Sequence, residues 1–306
     1  MNSILQGKLE IIEKDFQSGA GELAEAGIGL LAEILLFAPL DNPARALKLC
    51  RDVAGRLAEV RPSMAPIGNW AIEYYRELGE TISGEGQDWR PEVAEDVKRK
   101  ILKRKSSVAN LLVMAAEGAI GGVKSVFTLS YSSTVDRILL EALPHQCEIV
   151  VAESRPGMEG RRVARTMVDN GRRVRLITDA QMGLAIGEVD IVLIGADTIC
   201  RDMTVINKSG SYLAALAARE AKKPVYVAAD TFKINLAATR NSIRLEEKPG
   251  EEVWAESPDI CRNTYFEPTP PKLIAAYITE KGALTNAEME KEIERIRLAR
   301  AAAPGV

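Results

Sequence analysis

Ser125-Val126-Phe127-Thr128-Leu129-Ser130 is a short β-branched and aromatic run that passes through Tyr131-Ser132-Ser133-Thr134 into a helical stretch from Val135 to Leu143. A strand that feeds a helix in this way is half of a βαβ unit. The same texture recurs at Glu148 to Glu153, Arg173 to Thr178, Ile191 to Asp197 and Val225 to Asp230, with helical stretches between the runs. Because these runs are almost continuously apolar, they predict strands buried on both faces of a parallel sheet, with helices on either side. In such a sheet ligands collect outside the carboxyl ends of the strands.

Upstream of residue 121 the period changes. Leu5, Leu9, Ile12 and Phe16 recur at helical spacing, as do Leu47, Cys50, Val53, Ala54 and Leu57. Pro39-Leu40-Asp41-Asn42-Pro43, Arg61-Pro62-Ser63 and Gly84-Glu85-Gly86 punctuate these helices. Val93, Val97, Ile101, Val108, Leu112 and Ala115 then mark one long helix that joins the two halves. The expected architecture is α/β: an all-helical N-terminal domain of four or five helices over residues 1–120, followed by a doubly wound, Rossmann-like parallel-sheet domain over residues 121–306. A chain of 306 residues has material for both cores.

A hydrophobic fraction of 46% beside a charged fraction of 27% is that of a soluble globular protein, and no apolar run reaches the ~18 residues of a membrane helix. Met1-Asn2-Ser3-Ile4-Leu5-Gln6-Gly7-Lys8 lacks the layout of a secretory signal, so a cytoplasmic location is expected. Cys50, Cys147, Cys200 and Cys261 are widely spaced and have only His145 for company, so neither a metal site nor a disulfide framework is expected. A net charge of −3 gives no global attraction to nucleic acid. The basic run Lys98, Arg99, Lys100, Lys103, Arg104 and Lys105 reads as a solvated helix face, and no direct nucleic-acid binding is expected.

Two segments can hold an anion. Tyr131-Ser132-Ser133-Thr134 puts hydroxyls, free backbone N–H groups and the positive end of a helix dipole at one strand end, which suits a phosphate as well as it suits simple N-capping. Gly195-Ala196-Asp197 is followed by Val205-Ile206-Asn207-Lys208-Ser209-Gly210-Ser211 and a helix through Glu220. There Lys208 supplies a mobile positive charge, and Asp197 an acid or hydroxyl acceptor.

Two other signals fail on context. Gly19-Ala20-Gly21-Glu22-Leu23-Ala24 has dinucleotide-fingerprint letters but follows a helical pattern rather than a strand, so no nicotinamide and no other cofactor is expected. Ser130 lacks the G-x-S-x-G elbow of a hydrolase nucleophile, and His145 is the only imidazole in the chain.

The stretch Ile194-Gly195-Ala196-Asp197-Thr198-Ile199, with Val205-Ile206-Asn207-Lys208-Ser209-Gly210-Ser211-Tyr212, resembles the signature shared by translation initiation factor 2B regulatory subunits and the ribose-1,5-bisphosphate and methylthioribose-1-phosphate isomerases. Arg61-Pro62-Ser63 resembles that family's Arg-Pro-Thr. Phe232-Lys233 resembles its lysine after a late strand, and Glu267-Pro268-Thr269-Pro270-Pro271 with Ile278-Thr279-Glu280-Lys281-Gly282 its C-terminal loop. These motifs span nearly the whole chain in order.

The resemblance implies a ligand pocket of Ser18, Gly19, Ala20, Gly21, Arg61, Ser132, Ser133, Thr134, Asn207, Lys208 and Lys233, with Asp197 on sugar hydroxyls. It implies a sugar phosphate or nucleoside monophosphate as ligand, the alpha subunit of initiation factor 2 as a partner, and homo-oligomers, dimeric or hexameric. In the isomerases the Thr128–Ser130 segment resembles Thr-His-Cys, whose cysteine shuttles a proton together with the aspartate of Gly-Ala-Asp. Here Leu129 and Ser130 stand at the histidine and cysteine positions, and Tyr131-Ser132 resembles the Tyr-Ser of the regulatory subunits. A thiol can be tuned to a thiolate, whereas an alcohol is a far weaker acid. The expected function is non-catalytic binding of a phosphorylated ligand. The alternative is an aldose-1-phosphate isomerase that uses Asp197 and another base, with Cys147 or Cys200 as the thiols that could fold into place.

Overall fold

The computed structural model describes residues 2–15, 18–38, 40, 42–83 and 89–302. Phe16, Pro39, Asp41 and Gly84-Glu85-Gly86, all used above as helix or turn signals, lie outside the described residues. The chain divides into two compact units, one running to Val108 and one beginning at Ala109. Among the described residues no helix is long and apolar enough to cross a membrane.

The first unit is helical: α1 (Asn2–Lys14), α2 (Ala20–Phe37), α3 (Pro43–Val60), α4 (Ala65–Ser83) and the opening turns of α5 (Glu92–Ile120). Its core is built on Leu23, Ile28, Leu31, Leu57, Ile67, Trp70, Tyr74 and Ile101, all fully buried. Asn42 starts α3 by accepting from Arg45 N, with Pro43 at the first helical position, where its missing N–H costs nothing. Five of the six cations in the basic run of α5 are matched by carboxylates of the same unit. Lys98 pairs with Glu95, Arg99 with Asp96, Lys100 with Glu77, Arg104 with Glu73 and Lys105 with Glu25. Those cations serve helix packing and solvation, as a mixed-charge face does.

The second unit carries β1 (Ser125–Leu129), α6 (Ser133–Glu141), β2 (Glu148–Ala152), α7 (Glu159–Asp169), β3 (Arg173–Ile177), α8 (Met182–Glu188), β4 (Ile191–Gly195), β5 (Thr198–Cys200), β6 (Val205–Lys208), α9 (Ser211–Glu220), β7 (Val225–Ala228), β8 (Ile234–Asn235), β9 (Phe266–Thr269), β10 (Ala276–Thr279), β11 (Gly282–Leu284) and α10 (Asn286–Ala302). The large sheet has seven strands in the order β11-β10-β7-β4-β1-β2-β3. All its pairings are parallel except that of β10 with β11. The architecture is a helical N-terminal region followed by a doubly wound, mostly parallel sheet.

Side-chain alternation divides the core. Phe127, Leu129, Val150, Val192, Ile194 and Val227 face α8, α9 and α10, while Val126, Ile149, Val151, Ile191 and Leu193 face α6, α7 and the last turns of α5. This two-sided burial is why the strands read as continuous apolar runs. β3 departs from that expectation. It is an edge strand with Arg173 and Leu176 exposed, because among the described residues only β2 pairs with it. A second sheet, β8-β5-β6-β9, was not expected at all. Its strands are two to four residues long, and Val205–Lys208, read above only as the approach to a helix start, is strand β6.

Candidate functional site

Chain order along the large sheet reverses between β1 and β4, so the topological switch point lies at their carboxyl ends. The residues that follow β1 are held there tightly. Ser130 has φ 59°, a left-handed conformation, and its N–H donates to Ser154 Oγ at 2.7 Å. Ser154, buried and also left-handed at φ 64°, is fixed in turn by Asp179, whose carboxylate accepts from Ser154 N at 2.9 Å and Arg155 N at 2.7 Å. Ser132 caps α6, its Oγ accepting from Val135 N at 3.4 Å. It also crosses to β4: a Cβ on Gly195 would lie 2.9 Å from Ser132 Oγ, so only glycine lets the two strand ends come this close. Ser133 is exposed and Thr134 half-buried at the start of the same helix.

Asp197, half-buried, follows β4 and opens a hairpin in which its N–H donates to Ile206 O at 2.8 Å and Thr198 faces Ile206. The ladder therefore brings Asp197 beside the Asn207-Lys208 end of β6. Lys233, buried, donates to the carbonyl of Ala196, so its ammonium reaches the Gly195-Ala196-Asp197 segment. Asn207 Nδ2 donates to Ser211 Oγ at 2.9 Å, and that hydroxyl donates to Lys208 O at 2.7 Å.

Lys208 is not the mobile charge expected above. Its side chain is 3% exposed, and its ammonium donates to both carboxylate oxygens of Glu159, at 3.0 and 3.1 Å. It also lies 3.2 Å from the centre of the Tyr265 ring, a cation–π contact. Burial pushes the Lys208 ammonium below its ordinary pKa, and the Glu159 carboxylate opposes that shift. The N-terminus of α9, expected as a second anion seat, is served by Glu267, whose Oε1 accepts from Gly210 N at 2.6 Å and Tyr212 N at 2.9 Å.

In the helical unit Asp15 joins Ser18, just before Gly19, Ala20 and Gly21 at the start of α2, to Arg61 at the end of α3. Ser18 N donates to Asp15 Oδ1 at 2.9 Å, and Arg61 Nη1 donates to Asp15 O at 2.8 Å. α2 starts at Ala20 with Gly19 N donating to Glu22 at 2.9 Å, a capping arrangement in which a local carboxylate uses one of the free N–H groups. Two cavities lie away from all these positions. One of about 540 Å³ is lined by Ile12, Leu30 and Leu36 in the helical unit, and one of about 310 Å³ by Leu176, Leu184 and Glu188 beside β3.

Residues 17–286 match the profile of the initiation factor 2 subunit family. The chain belongs to that family. It is 32% identical over 278 residues to a translation initiation factor eIF-2B subunit 2-like protein of Pyrococcus furiosus, which covers 90% of this chain and 94% of the relative. It is 31% identical over 302 residues to a ribose 1,5-bisphosphate isomerase of Archaeoglobus fulgidus, covering 93% of this chain and 90% of the relative. The solved structure of the Pyrococcus horikoshii OT3 translation initiation factor eIF-2B superposes with a TM-score of 0.77 at 28% identity, covering 92% of this chain and 97% of that one.

Relatives of both names make the position of the thiols the chemical question for this initiation factor 2 subunit family member. Cys147 precedes β2, at the amino end of the sheet, opposite the switch point; it is buried and its pKa is pushed up to about 11. Cys200 closes β5, fully buried, and burial with the nearby Asp202 charge pushes it up to about 12. Cys50 lies in the core of the helical unit, and Cys261 donates to Ser257 O at 3.4 Å. Ser130 alone stands at the end of β1. The roles of Glu159, Glu267, Ser154 and Asp179 were missed in the sequence because each acts on a residue far along the chain, Glu159 on one 49 positions away.

Proposed function

We propose that this protein is a regulatory-subunit-like member of its family that binds a sugar phosphate or nucleoside monophosphate at the carboxyl edge of its sheet and does not isomerise it. The observation that carries this reading is Ser130: an alcohol with its backbone N–H committed to Ser154, where an aldose–ketose shuttle needs a group that exchanges a proton near neutral pH. The burial of Cys147 and Cys200 supports it, since both thiols are pushed far above the range in which a thiolate forms. The α6 N-terminus with Ser132, Ser133 and Thr134, together with Asn207, Lys208 and Lys233, supplies the phosphate side, and Asp197 accepts sugar hydroxyls. Such a protein acts by docking in the cytoplasm as a dimer or hexamer, with the alpha subunit of initiation factor 2 as its partner.

The test is to supply the purified chain with ribose 1,5-bisphosphate or methylthioribose 1-phosphate and to assay ketose. No turnover is expected, while ribose 1,5-bisphosphate or AMP at 100 times its dissociation constant adds ~2.7 kcal/mol of stability, read as a higher melting temperature. Lys208→Ala abolishes that rise. Turnover on the order of 1 per second or more overturns the proposal in favour of the isomerase reading, with Asp197 as the acid–base group.

A further inference from the structure

Lys208 and Glu159 form a closed pair at the sheet's edge. The lysine is anchored: it ends β6, its side chain is 3% exposed, and its ammonium sits 3.2 Å from the centre of the Tyr265 ring. The carboxylate is less so, because the Glu159 side chain is 20% exposed and stands at the first position of α7. Gly157 makes the fit possible. A Cβ there would lie 2.5 Å from the Tyr265 hydroxyl and 2.6 Å from Glu159 Oε1. The charges of Glu252 and Asp179 also act on Lys208, and Lys248 approaches the Tyr265 ring at 3.2 Å. An incoming anion thus meets an ammonium that already has its counter-charge.

We propose that Glu159 is a resident counter-anion: a phosphorylated ligand binds by displacing the Glu159 carboxylate from Lys208, so Glu159 sets both the affinity of the site and its preference for doubly charged phosphate. This inference rests on the reading of the sheet edge as a phosphate site. A singly charged anion that replaces Glu159 exchanges one carboxylate-like partner for another and gains nothing. A phosphate brings a second charge and a third acceptor oxygen, and so gains over the resident group. The partly exposed carboxylate rotates toward water while the buried ammonium stays in place, which keeps the cost of displacement on the side able to be solvated.

Isothermal titration of the full chain with AMP and with ribose 1,5-bisphosphate, with acetate as the singly charged control, tests this. Glu159→Gln should bind both phosphates about 10- to 100-fold more tightly than the wild type, the factor that one charge-assisted hydrogen-bonded contact represents. Its melting temperature without added phosphate should fall, because Lys208 loses its carboxylate, and should recover when phosphate is added. Adding Lys208→Met to that variant should recover the melting temperature and remove binding. Should Glu159→Gln fail to fold, Glu159→Ser, which leaves room for water beside Lys208, carries the same expectation. Phosphate binding by the wild type that Glu159→Gln leaves equal or weakens overturns the counter-anion role and leaves the phosphate site standing. Binding of neither phosphate by either protein overturns both.

Discussion

Ser132 Oγ lies 2.9 Å, and Ser132 Cβ 3.1 Å, from the point that a Cβ on Gly195 would occupy. This contact joins the ends of β1 and β4. Gly195→Ala therefore displaces the start of α6 and should cost roughly 1–3 kcal/mol, the usual penalty of overpacking. Ser132→Gly removes both clashing atoms and, at an N-cap, costs only a few tenths of a kcal/mol. Urea unfolding of the two single variants and the double should show that Ser132→Gly rescues Gly195→Ala, with clear non-additivity.

Thiol chemistry gives an independent check on the site. Burial raises Cys50, Cys147 and Cys200, the last two to about 11 and about 12. Iodoacetamide at pH 8 should label native protein at Cys261, the half-buried thiol, and reach the other three only after denaturation. Rapid native labelling of Cys147 or Cys200 would contradict the structure described above.

Asp136 in the first turn of α6 is raised from 3.8 to about 6, chiefly by burial, with the Arg162 guanidinium opposing the rise. Since its folded pKa is raised, the native state holds the proton more tightly than the unfolded chain. The stability this group contributes is full below pH 3.8 and is lost as the pH climbs through 6, in total up to about 3 kcal/mol. Asp136→Asn should accordingly be more stable than the wild type at pH 7, with the difference shrinking toward pH 4. Paired urea titrations across that range measure it.

Glu267 accepts from two N–H groups at the start of α9, Gly210 at 2.6 Å and Tyr212 at 2.9 Å. Glu267→Ala removes a cap and a charge at the positive end of the helix dipole, and should lower stability by about 1–2 kcal/mol. Glu267→Gln, which keeps an acceptor oxygen but not the charge, should recover part of that loss in thermal unfolding.

Strands β1, β2, β4 and β7 were legible because burial on both faces imposes an unbroken apolar run, and the helical unit because its core recurs every three to four residues. The small sheet was not. β5 and β8 span three and two residues, and β9 contains Pro268, which reads as a break; the strand tolerates it at an edge, paired only with β6. The motif residues Ser132, Asp197, Asn207, Lys208 and Lys233 were visible in the sequence as motifs, and they lie at the carboxyl edge of the sheet. The roles of the nearby carboxylates were not, because Glu159 lies 49 positions from Lys208 and Glu267 lies 55 or more from the α9 N–H groups it caps. Only folding brings such groups together. Arg173 and Arg175, alternating along β3, were the visible sign that this strand is open on one side.

That open side has its own consequence. An unpaired edge of a seven-stranded sheet is a template on which other chains can add as strands and grow into filaments. β3 carries Leu176 exposed at 45%, yet it places Arg173 and Arg175 along the same rim, with Arg175 drawn to Glu148 and Glu188. A neighbouring strand would have to bury those guanidinium groups to dock, so the rim resists aggregation through its own charges.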